Sequence, residues 1–155
     1  MSLKRLFCFL SAVLFGTLFS ACDKPGLYPG GSLKDAPIEC LVLNEGLLNT
    51  NAGALSVVYR DSTVVVDAFQ DVNHRPMGDV AQSVTLINGK YFVAMNNSKK
   101  VEILDPVTFR SLGTILYKQA GSPRQIVPVS PTEAAAPDLR NQPVRIRPVE
   151  SYGEP

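Results

Sequence analysis

Val84-Thr85-Leu86-Ile87-Asn88-Gly89-Lys90-Tyr91-Phe92-Val93-Ala94-Met95 decides the fold of this 155-residue chain. Two apolar runs of strand length flank Asn88-Gly89. Both central positions of a two-residue hairpin turn favour positive φ, which asparagine and glycine tolerate. The polar break Asn96-Asn97-Ser98 follows, and then Lys100-Val101-Glu102-Ile103-Leu104-Asp105. An earlier stretch has the same plan: Leu41-Val42-Leu43-Asn44-Glu45-Gly46, a longer loop, then Ala54-Leu55-Ser56-Val57-Val58-Tyr59. The strand after the polar loop recurs at an offset of 46 residues. A four-stranded unit repeating about every 40–45 residues marks a propeller blade. A meander or sandwich with similar hairpins is the alternative.

Outward from that pair, turn residues separate short apolar runs. Strands are expected near 38–44, 54–60, 63–69, 79–87, 90–96, 100–104, 111–117 and 124–129. Asp61-Ser62 and Asp105-Pro106 mark further tight connections. Beyond the first 21 residues no stretch has apolar spacing of helical period, and 12 prolines with 11 glycines favour turns. The expected class is all-β. From Pro131 onward the pattern weakens: Ala134-Ala135-Ala136 is a poor strand signal, and Pro143, Pro148 and Pro155 donate no ladder bonds. Residues 131–155 therefore read as an off-pattern tail.

The first 21 residues differ in kind. Lys4 and Arg5 precede an uncharged run over residues 6–19, too short for a membrane span of about 20 residues and flanked like a secretory signal. Residues 22–36, with Pro25, Gly26, Pro29, Gly30 and Gly31, read as a flexible tether. Losing Lys4 and Arg5 with the signal turns a formal charge of +1 into −1. Near-neutrality argues against an electrostatic nucleic-acid binder. Cys8 leaves with the signal, and Cys40 sits in an apolar strand pattern, where a buried thiol is expected.

Two resemblances sharpen this. Leu18-Phe19-Ser20-Ala21-Cys22 resembles the lipobox of bacterial lipoproteins, with Phe19 where leucine is commonest. It implies lipidation at Cys22 and a membrane anchor; an ordinary signal peptide is the alternative. The segments LVLNEG, RPMGDVAQSVTLINGKYFVAMNNSKKVEILDPVTFRSLGTI and GSPRQIVPVS resemble the blades of YVTN/YncE-type propellers, closest to surface lipoproteins of Bacteroidota. Residues 37–130 would then form about two blades of a ring that normally needs about 300 residues. The resemblance implies a truncated propeller, a natural short form being the alternative. It also implies an outer-membrane, surface-exposed, non-catalytic protein that captures a nutrient, cobalamin among the candidates, for a transporter. Asp23 is similar to an enterobacterial inner-membrane retention signal, which keeps a periplasm-facing location open. A protein- or glycan-interaction module, or a non-functional remnant, is the alternative function.

In an up-and-down blade alternate connections lie at the same end. One end should therefore collect Asn44, Glu45, Asn49 and Asn51 with Asn96, Asn97 and Ser98, and from the inter-blade turns Asn73, His74, Arg75, Asp79, Ser122 and Arg124. Amides and hydroxyls with a few charges suit a polar ligand. They also suit tight turns and links between neighbouring blades. His74, the sole histidine, reads as a solvated loop residue rather than a cobalt ligand. No serine or cysteine sits in a nucleophile-elbow context, and no spacing makes a zinc site, so no catalytic residues, metal or resident cofactor are expected.

Overall fold

A computed structural model describes residues 32–117, 121–130, 132–137 and 144–146. The residues expected to form a signal segment, Cys22, most of the expected tether and much of the expected tail lie outside the described residues. The described chain is β-rich, in three antiparallel sheets. The first contains β1 (Ile38–Asn44), β2 (Ala54–Tyr59) and β3 (Val64–Val65), in that order. A short helix, α1 (Ala68–Asn73), follows. The second sheet is an up-and-down run of β4 (Ala81–Ile87), β5 (Lys90–Met95), β6 (Lys100–Leu104) and β7 (Ser111–Leu116). The third contains β8 (Val127–Ser130), β9 (Glu133–Ala136) and β10 (Val144–Ile146) in the order β10-β9-β8.

The Asn88-Gly89 turn forms as the sequence predicts, with φ of 46° and 69°. It joins β4 to β5 in a register that pairs Ile87 with Lys90 and Thr85 with Phe92. The repeat is visible in the ladders. Leu41 pairs with Val57 as Phe92 pairs with Ile103, so β1 and β2 stand where β5 and β6 stand one unit later.

The period-2 alternation of each strand sorts residues into two cores. Leu41, Leu43, Leu55, Val57 and Tyr59 of the first sheet meet Val93, Met95 and Leu104 of the second. On the opposite face of the second sheet, Phe92, Ala94, Val101 and Ile103 meet Ile126, Ala134, Ala136 and Ile146. Each sheet thus presents a forward face to the rear of the next. Among the described residues the three sheets are not closed into a ring.

Three expectations need correction. The strand over 63–69 shrinks to two residues and gives way to α1. Asp67 causes the break: its backbone is left-handed (φ 52°, ψ 58°), and its carboxylate caps the helix by accepting the Gln70 N–H at 3.2 Å. The chain also does not leave the sheet pattern at Pro131, because β9 pairs with both β8 and β10. Ala134 and Ala136 suffice there because Phe92 and Ile103 fill the facing volume. Pro128 lies in β8, an edge strand, where its missing N–H is tolerated. Finally, Cys40 is exposed, because Leu41 and Leu43 take the core-facing positions of β1 and a bulge falls between Ile38 and Cys40.

Candidate functional site

The loops between β1 and β2, between α1 and β4, and between β5 and β6 converge, as the up-and-down topology requires. Asp79 is their meeting point. One carboxylate oxygen, Oδ2, accepts the backbone N–H of Asn49 at 2.7 Å and the Asn97 amide at 2.5 Å. The Asp79 N–H donates to Ser98 Oγ at 2.7 Å, and its carbonyl accepts the Ser98 N–H at 3.3 Å. Asn97 also donates to Asn49 Oδ1 at 3.1 Å. Asp79 is only 4% exposed, and its other oxygen, Oδ1, is buried without a hydrogen-bond partner among the described residues.

Neighbouring contacts extend the network. Asn96 donates its amide to Ser122 Oγ at 2.6 Å and its backbone N–H to the Val80 carbonyl at 2.8 Å. Glu45 accepts the Gln82 side chain at 2.9 Å, and its carbonyl accepts the Ala81 N–H at 3.2 Å. Asn44 donates to Ser56 Oγ at 3.3 Å. Asn51 contributes a left-handed turn with φ 54°. Arg124 is exposed and has no polar partner among the described residues. Gly46 holds the loop's shape: at φ 78°, a Cβ there would fall 2.4 Å from the Ala52 carbonyl carbon.

Three nominated residues lie elsewhere. The Asn73 amide donates to the Phe69 and Phe109 carbonyls and accepts the Ser111 N–H at 2.8 Å, tying α1 to the start of β7. His74 caps α1 in a left-handed conformation, donating its N–H to the Gln70 carbonyl, and is exposed. Arg75 stacks over Phe69, 4.8 Å from the ring centre, and reaches Glu102 at 2.5 Å and Ser111 at 3.2 Å.

Glu102 was not foreseen. Its carboxylate is fully buried on β6 and also accepts Lys100 Nζ at 2.9 Å, Ser111 Oγ at 2.6 Å and Thr114 Oγ1 at 3.1 Å. Burial pushes its pKa up, but hydrogen bonds from Arg75, Ser111 and Lys100 outweigh this and hold the carboxyl below its ordinary value. In sequence, a glutamate between Val101 and Ile103 is the only trace of this cluster.

Leu47 and Leu48 were also missed. They are 72% and 58% exposed at the tip of the β1–β2 loop, where Thr50 donates its N–H to the Leu47 carbonyl at 3.2 Å. Two leucines inside a turn-length segment after Gly46 were the available signal. The loop end thus combines a polar, internally bonded platform with an exposed apolar tip.

A shallow cavity of about 340 Å³ lies at the opposite end of the strands, lined by Leu33, Val72, Val107 and Arg110 among others. None of the nominated residues reaches it. Among the described residues, no three His, Cys, Asp or Glu side chains come together as a metal set. The chain matches no family model, and comparison with curated proteins gives no match.

Proposed function

We propose that this chain is a non-catalytic binding protein of the cell envelope, anchored through lipid on Cys22 and built from propeller blades. Its loop end takes up an amphipathic nutrient of the corrinoid class for transfer across the outer membrane. The observation that carries this reading is the pairing of the Asp79-centred polar platform with exposed Leu47 and Leu48. Exposed leucines at a loop tip have no packing role, whereas an amphipathic ligand offers them an apolar surface while amides engage its polar groups.

Calorimetry with cyanocobalamin tests it. Saturable heat is expected, and replacing Leu47 and Leu48 together by serine should weaken binding about tenfold or more, as loss of two apolar contacts implies. The thermal midpoint should stay unchanged, since neither side chain is buried. Absence of heat at high micromolar ligand removes the corrinoid reading. Metabolic labelling with a fatty-acid probe tests the anchor: wild-type chain should carry label and Cys22→Ser should not.

A further inference from the structure

In the second and third sheets, the strand that opens the repeated hairpin is flanked on both edges: β5 lies between β4 and β6, and β9 between β8 and β10. β1 occupies the corresponding position in the first sheet, yet among the described residues it pairs only with β2, and no described strand covers its other edge. Exposed edges are normally protected by charge, proline or a bulge. Here such protection stops early: Pro37 precedes β1, Glu39 is paired with Arg60 at 3.3 Å, and the bulge ends at Cys40. Leu41, Val42, Leu43 and Asn44 that follow are regular and uncharged.

We infer that the free edge of β1 is an acceptor site for one extended, uncharged segment of a partner protein, which pairs antiparallel as a fourth strand. Main-chain hydrogen bonds supply most of the attraction in this mode, and side chains at alternate positions supply selectivity. The selective positions lie opposite Leu41 and Leu43, whose side chains belong to the first core. A charge placed there would enter an apolar environment without a counter-ion. The edge admits a single strand better than a second folded copy. A strand needs about 4.8 Å of lateral room, and the first residue of β4 already reaches the end of β1, donating to the Glu45 carbonyl.

The internal repeat also fixes the register. Val84, Thr85 and Leu86 of β4 pair with Val93, Phe92 and Tyr91. Through the matched ladders these three positions of β5 correspond to Val42, Leu41 and Cys40. A peptide with the β4 sequence AQSVTLI, flanked by lysines for solubility, is therefore the natural probe. Its sixth residue should lie opposite Cys40, whose exposed thiol reports on it.

The test is amide hydrogen exchange of the full chain with and without this peptide. Exchange at Leu41–Asn44 should slow about tenfold or more at saturation. A peptide carrying proline at its fourth and fifth residues should give no protection. An activated disulfide at the sixth residue should couple to Cys40, and one at the third residue should not, because cross-strand disulfides need Cα atoms about 4.4–6.8 Å apart. Unchanged exchange with the peptide overturns the inference. So does protection that appears without peptide and grows with protein concentration, which would assign the edge to a second copy.

Discussion

Glu102 shows how a single residue can tie the connection after α1 to the second sheet. It receives two cations and two hydroxyls with no exposed surface, so removing its charge leaves Arg75 and Lys100 facing each other without an anion. Glu102→Gln should destabilise the fold by about 3 kcal/mol or more, the cost of breaking a buried pair from one side; chemical denaturation measures it. The pH dependence has a definite sign. The folded-state carboxyl lies below its ordinary value of 4.5, so its contribution is complete above that pH and is lost as pH falls through the folded value. Asp67 acts oppositely, since burial raises its carboxyl and protonation favours the fold. Acid titration of wild type against Glu102→Gln should therefore show wild type losing stability below about pH 4.5 and the variant losing much less. The glutamate's role was hidden in the sequence. Only the packed arrangement brings Arg75 and Ser111, 27 and 9 positions away, onto one carboxylate.

At the scale of elements, legibility followed side-chain size. β1, β2 and β4 to β7 could be read because long apolar runs alternate with clear turn residues, and Asn88-Gly89 fixed one register outright. β9 could not, because alanines at its inward positions carry little hydrophobic signal even when fully buried. α1 was missed for a different reason: six residues span less than two turns, too few for a period of 3.6 to emerge. Its start depends on a cap rather than a pattern. Asp67→Ala should cost about 1 kcal/mol, typical of a lost N-cap. The left-handed backbone at Asp67 suggests Asp67→Gly as a milder control, since glycine accepts that conformation. Comparing the two variants by thermal melting separates the cap from the turn. The loop-end residues were legible from connectivity alone, which brought Asn49, Asp79, Asn97 and Ser98 together, whereas Asn73 and Arg75 were drawn away by Phe109, Ser111 and Glu102.

Across the whole described body, stability rests on the forward face of one sheet meeting the rear of the next. Phe92 is the largest fully buried side chain in the second junction. Phe92→Ala should cost about 3–5 kcal/mol. The loss should be uneven: exchange in β9 should accelerate before exchange in β2, because β9 has small side chains and depends on Phe92 for contact. Equal acceleration in both strands would show the two junctions to be one cooperative unit. The loop end follows a different logic. Asp79 fastens a loop of the first sheet to a loop of the second, so the freedom of both is surrendered when the chain folds, before any guest arrives. A ligand of the proposed kind would meet a finished mould there, and little of its affinity would be spent on quieting restless backbone. Under that proposal the surface would discriminate by shape and tolerate poor fits badly.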